Sequence, residues 1–153
     1  MKEKGKMKAR RAPVNEMRLD LPSLSVNEAM ARAAVAAFCA QMDPTATELA
    51  DLKCAVSEAV TNSIVHGYRS EMGTIYITVS LYDDRTVRVR IRDRGCGIPD
   101  VSVARQPLYT TDAEGERSGM GFTVMESFCD KVKVASVWGK GTTVTLYKRL
   151  ARR

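Results

Sequence analysis

Two neighbouring runs of this chain alternate between apolar and polar residues without a break. In the first, Ile75, Ile77, Val79 and Leu81 fall on one side, and Thr74, Tyr76, Thr78 and Ser80 on the other. In the second, Val87, Val89 and Ile91 alternate with Arg88, Arg90 and Arg92. A period of two marks a β-strand with one buried face. Asp83-Asp84 between the runs predicts a hairpin. Lys131–Val137 and Thr142–Lys148, joined through Gly139-Lys140-Gly141, read as two further strands. Met17–Leu21, ended by Pro22, reads as a short fifth. A sheet that is apolar on one side needs a covering layer.

Helical periodicity supplies that layer. Ser25 is placed to cap a helix over Val26–Gln41, with Val26, Met30, Ala33, Ala37 and Phe38 as its apolar stripe and Arg32 off it. A second helix is expected from about Thr47 to His66, burying Leu49, Leu52, Val56, Val60 and Ile64, with Gly67 as its C′ residue. Phe122–Phe128 reads as a third. The expected fold class is α/β: a two-layer sandwich whose mixed, mostly antiparallel sheet is covered on one face by helices.

The 153 residues are divided into a basic, disordered arm over 1–14 and one domain over 15–153. The arm carries +5 and the last four cations +4, so the net +6 leaves −3 over residues 15–147. Basicity is therefore expected at the ends and not on a folded face, with no direct specific nucleic-acid binding. No apolar run reaches the ~18–20 residues of a membrane span, and no apolar stretch follows the basic N-terminus as in a signal peptide. No membrane association and a cytoplasmic location follow as expectations. The four cysteines have no Cys-x-x-Cys spacing, and His66 is the only histidine, which disfavours structural zinc. Cys39, Cys54 and Cys129 are expected to be buried, Cys96 to lie in a glycine-rich loop, and Trp138 and Tyr147 to pack.

Three motifs carry chemistry. Glu58 and Asn62 stand one turn apart on a helix, about 40° apart around its axis. Ala55 and Ala59 behind them are small enough to leave room for a ligand. An amide oxygen suits Mg²⁺, which takes few protein ligands beside phosphate oxygens and water. A carboxylate one turn away can take a proton from an attacking hydroxyl. Asp93-Arg94-Gly95-Cys96-Gly97-Ile98 follows a strand; its aspartate can accept from an exocyclic amine, and Gly95 and Gly97 allow close backbone approach. Gly119-Met120-Gly121 opens a helix, where free N–H groups and the positive dipole end suit phosphates, with Arg117 and Ser118 alongside. No P-loop, Rossmann fingerprint, protein-kinase set or Gly-x-Ser-x-Gly elbow is present. Taken singly, Glu58 and Asn62 read first as a solvated carboxylate and a locally hydrogen-bonded amide, and the other two motifs are also compatible with an ordinary turn or a surface arginine.

Together these blocks resemble the GHKL nucleotide-binding superfamily of gyrase, Hsp90, histidine kinases and MutL. The N-box matches Glu58–Asn62, the first glycine box Asp93–Ile98, the second Gly119–Phe122, and a closing block Gly141-Thr142-Thr143. VSEAVTNSIVHGY, RDRGCGIPD, ARQPLYTT, ERSGMGFTVMESF and KGTTV are similar to the anti-sigma branch of that superfamily. The arm departs from its pattern. The resemblance implies a serine-protein kinase that binds ATP or ADP with Mg²⁺. As a homodimer it holds a sporulation sigma factor and phosphorylates an anti-anti-sigma partner on serine. It implies Glu58 as general base and Asn62 as Mg²⁺ ligand. Asp93 and Thr142 would contact adenine, and Gly95, Gly97, Gly119 and Gly121 would shape the pocket. Arg117, with Ser118 beside it, would reach the phosphates, and Arg32 would contact the protein partners. The alternatives are a nucleotide-gated binding switch without turnover and a stand-alone histidine-kinase-type ATPase domain.

Overall fold

The computed structural model describes residues 11–69, 71–106 and 121–152. The elements run β1 (Asn15–Pro22), α1 (Asn27–Cys39), a 3₁₀ turn (Ala40–Met42), α2 (Ala46–Asn62), a π turn (Ser63–Gly67), β2 (Thr74–Leu81), β3 (Thr86–Asp93), α3 (Val101–Ala104), α4 (Gly121–Phe128), β4 (Lys131–Val137) and β5 (Gly141–Arg149). The strands form one sheet in the order β1-β2-β3-β5-β4. All four pairings are antiparallel, so the described sheet contains no parallel pair.

The two alternating runs behave as their pattern demands. Val79 faces Val89 across the β2–β3 hairpin and Ile77 faces Ile91. Ile75, Ile77, Val79, Leu81, Val87, Val89 and Ile91 are all 1% exposed or less. Burial of such aliphatic side chains stabilises the fold by roughly 1.5–3 kcal/mol each. The sheet packs against α2 through Leu52, Val56 and Val60, and Phe122 and Met125 of α4 join the same core.

Helix α2 starts at a capping box. The Thr45 hydroxyl accepts from Glu48 N–H, and the Glu48 carboxylate accepts from Thr45 N–H. Pro44-Thr45 was legible as a break; the box itself was not read. The expected C′ role of Gly67 does not hold, because Gly67 is not among the positive-φ residues. The helix widens into a π turn after Asn62, and Tyr68 N–H closes it on Ser63 O at 2.9 Å.

Helix α1 corrects the sequence reading most. Its buried residues are Ala31, Val35, Ala36 and Cys39, whereas Val26 and Met30 of the expected stripe are 74% and 52% exposed. The helix is so rich in alanine that apolarity does not fix which side faces the core; close packing on α2 does. Ser25 makes no side-chain cap. Ala55 and Ala59 are fully buried in the core and do not line open space. Cys54 is exposed and so is Trp138, both contrary to expectation, since each lies beyond the reach of the opposite layer. The described cysteines are all free thiols. Burial pushes the Cys39 thiol up to about 12 and that of Cys129 to about 11.

The charge expectation also needs correction. The polar side of the strands is not neutral: Arg88, Arg90, Arg92 and Arg94 stand in a row along β3 and just beyond it, with Arg18 two strands away. Summing charge over residues 15–147 hid this segregation, because Glu16 and Asp20 are the two acids that line the arginine groove and the other acids lie outside it.

Candidate nucleotide site

The end of α2, the end of β3 and the start of α4 and β5 meet at one edge of the helical layer. Glu58 and Asn62 project from the last turns of α2, both half-buried. Gly121, the first residue of α4, lies directly against them. A Cβ built there would sit 3.3 Å from Asn62 Oδ1, Asn62 Nδ2 and Glu58 Oε2 alike. The second glycine motif and the N-box are thus in contact, although 59 positions separate Asn62 from Gly121. Arg117, Ser118 and Gly119 lie outside the described residues.

Asp93 ends β3 and is 4% exposed. Ser63 Oγ donates to its Oδ2 at 2.9 Å, and Gly95 N–H donates to its Oδ1 at 3.0 Å. Burial raises its pKa above the ordinary 3.8, against hydrogen bonds from Gly95, Ser63 and the Thr142 backbone that favour the anion. Ser63 was missed in the sequence; it occupies the first position of the π turn, and an Asn-Ser pair at a helix end is too common to have flagged it.

The glycines beside Asp93 are dictated by contact. A Cβ on Gly95 would fall 2.2 Å from Gly67 O, and one on Gly141 would fall 2.2 Å from Asp93 O at a φ of +135°. Gly97, at φ +76°, lets the loop turn beneath Val137. Cys96 N–H donates to Gly67 O and Gly139 N–H donates to Cys96 O, so the loop is tied to both the π turn and the β4–β5 hairpin.

Thr142 is 9% exposed and pairs with Asp93 across β3–β5. Its hydroxyl lies 2.8 Å from Ser136 Oγ, which accepts from Ile98 N–H at 2.7 Å. Ser136, also missed, therefore fixes both Thr142 and the end of the glycine loop. Tyr68 adds a further tie: its hydroxyl accepts from Arg94 N–H at 2.8 Å and donates to Thr74 O. Arg32 is not part of this cluster. It lies on α1, 41% exposed, and pairs with Glu28 at 3.4 Å. Glu28 in turn accepts from Ser57 Oγ on α2, next to Glu58.

The donor set suits a small hard cation better than zinc. One amide oxygen and one adjacent carboxylate converge under Gly121. Among the described residues no group of three His, Cys, Asp or Glu side chains is placed to hold a metal. No helix of the described residues is long and apolar enough to cross a membrane.

A buried aspartate thus lies beside the glycine turn and next to the polar end of α2. Residues 21–148 match the family model of the histidine kinase-like ATPase domain. The chain is 54% identical over 139 residues to the anti-sigma F factor of Bacillus licheniformis, covering 90% of this chain and 94% of that protein. It is 53% identical over 139 residues to the anti-sigma F factor of Bacillus subtilis (strain 168), with the same coverage. Among solved structures, the RsbU and RsbW domains of Rv1364c from Mycobacterium tuberculosis superpose with a TM-score of 0.68 at 26% identity, over 94% of this chain and 34% of that one. The histidine kinase domain of Erythrobacter litoralis EL346 shares the fold, with a TM-score of 0.53 at 17% identity, over 85% of this chain and 62% of that one. The chain belongs to the histidine kinase-like ATPase family, in the branch of the anti-sigma F factors.

Proposed function

We propose that this chain binds ATP with Mg²⁺, holds a sporulation sigma factor, and phosphorylates an anti-anti-sigma partner on serine. The working unit in this reading is a cytoplasmic homodimer. The observation that carries the catalytic part is the convergence of Glu58, Asn62 and Gly121. A carboxylate and an amide oxygen meet a helix N-terminus, which is what phosphoryl transfer asks for: positioning, charge neutralisation and one base.

Asp93, held by Ser63 and Gly95, would accept from the adenine amine, with Thr142 beside it. Gly95 and Gly97 would shape the pocket by letting the loop pack against Gly67 and Val137, Gly121 would keep a side chain away from Glu58 and Asn62, and Gly119, Ser118 and Arg117 belong to the segment that would meet the phosphates. Asn62 would hold Mg²⁺, which neutralises phosphate charge when bound. Glu58 would take the serine proton as the serine oxygen bonds to the γ-phosphorus and the bond to ADP breaks. Arg32 would contact the protein partners, outside the nucleotide cluster.

The test is transfer of label from γ-labelled ATP to the purified anti-anti-sigma protein. Glu58→Gln is expected to retain ATP binding and to lower transfer about 10²–10⁴-fold. Undiminished labelling would remove Glu58 from the role. Asn62→Ala is expected to lose the Mg²⁺-dependent part of nucleotide affinity; equal calorimetric affinity with and without Mg²⁺ in the parent protein would sink that assignment. Arg32→Glu is expected to weaken sigma capture with ATP affinity unchanged.

A further inference from the structure

The face of the sheet turned away from the helices carries a charged groove. Five arginines (Arg18, Arg88, Arg90, Arg92, Arg94) and two carboxylates (Glu16, Asp20) line a groove of about 420 Å³ with Tyr76 and Thr78. Arg18, Arg90, Arg92 and Arg94 are exposed, and among the described residues Arg90, Arg92 and Arg94 have no carboxylate within ion-pair distance. Arg88 Nε is buried without a hydrogen-bond partner. Its Nη2 donates to Ser80 Oγ at 3.4 Å.

The geometry is a ladder. Along β3 arginines recur every second residue, their backbone positions about 6.7 Å apart. Across the sheet the pairing gives one row reading Arg18, Thr78, Arg90, Thr145, Lys133. Cations and hydroxyls therefore alternate across the sheet, while along β3 arginine follows arginine and along β1 Arg18 lies between Glu16 and Asp20, without an aliphatic side chain in the groove. Aromatic rings lie beneath the cations: Arg94 is 5.2 Å from the Tyr76 centroid, Arg88 is 5.7 Å from Tyr82, and Lys133 Nζ is 5.6 Å from Tyr147.

We infer that this face binds a single strand of nucleic acid. Charge complementarity selects a polyanion, and like charge opposes a second copy of the same face. A protein partner would be expected to meet an apolar core with buried anchors, which the groove lacks. Planar guanidiniums stacked on tyrosines offer surfaces on which unpaired bases stack, while the remaining N–H groups take phosphates. The basic N-terminal segment joins the fold at the Arg88 end of the row, where Arg11 pairs with Asp83 and Val14 N–H donates to Leu81 O. This surface is separate from the nucleotide site and stands or falls without it.

The experiment is fluorescence anisotropy of the full chain with labelled U20 and dT20, titrated at several salt concentrations. Binding is expected to weaken with salt at a slope near −0.7 per phosphate contact, so about −3.5 for five arginines. Arg18→Gln/Arg90→Gln is expected to bind roughly tenfold more weakly and to lose about 1.4 from that slope. Arg92→Lys/Arg94→Lys, which replaces the two guanidiniums over Tyr76, is expected to keep the slope and lose affinity through stacking alone. Lys53→Glu, the same change in net charge on the exposed side of α2, is the control and is expected to bind as the parent does. Thermal melting checks that each variant is folded. No binding, equal loss with Lys53→Glu, binding abolished only by Lys4→Gln/Lys6→Gln/Lys8→Gln, tighter binding of a 20-base-pair duplex, or equal binding of polyglutamate would each overturn the inference.

Discussion

Asp93 is held between two opposing effects. Burial lifts its pKa above 3.8 while Gly95, Ser63 and Thr142 donate to it. With the folded value raised, the folded chain binds more protons than the unfolded one in the window above 3.8. The stability that Asp93 contributes is full below 3.8 and declines as the pH rises through the folded value. Melting temperatures of the parent and Asp93→Asn, measured across that window, should shift in the variant's favour as pH increases; a constant difference would show that Asp93 does not titrate there. Gly121 tests the opposite side of the pocket. Gly121→Ala is expected to weaken ATP binding about ten- to hundredfold by calorimetry, because a methyl group would meet Glu58 and Asn62. Its melting temperature should hold or rise, since alanine favours helix over glycine.

At the scale of elements, α2 carries the site at one end and its stability at the other. Its N-terminal capping box predicts that Thr45→Ala costs about 1 kcal/mol by urea unfolding at neutral pH. Desolvation pushes the pKa of Glu48 up, but hydrogen bonds from Thr45 and Ala151, with the charge of Lys148, outweigh it and leave the value below 4.5. The stability Glu48 contributes is present above 4.5 and is lost as pH falls through that lowered value. Helix α4 sits on α2 through Met125, which is fully buried. Met125→Ala is expected to cost about 2–5 kcal/mol and to loosen Gly121 over Glu58, weakening ATP binding together with stability. A loss of stability with ATP affinity intact would separate the two elements.

The whole molecule divides its chemistry between two sides of one sheet. The helical side carries the candidate nucleotide site at its edge, and the open side carries the row of arginines. Like charges on the open side repel each other in the folded state, and salt screens them. Raising salt from low to near-molar should therefore raise the melting temperature by about 2 °C, roughly 1 kcal/mol in a chain of this size. The gain should shrink in Arg18→Gln/Arg90→Gln; an unchanged gain would locate the salt effect elsewhere. What the sequence determined by itself was local: strand alternation, the β2–β3 hairpin, the start and phase of α2, and the three motifs with Glu58, Asn62 and Asp93. Those are fixed by backbone period and side-chain chemistry within a few residues. Tertiary structure alone decided which side of the alanine-rich α1 is buried, that Gly121 rests on Glu58 and Asn62, and that Ser63 and Ser136 hold Asp93 and Thr142. It also decided that five arginines share one groove. Each of these is a contact between residues distant in the chain, and neither hydrophobic periodicity nor net charge records which distant residues will meet.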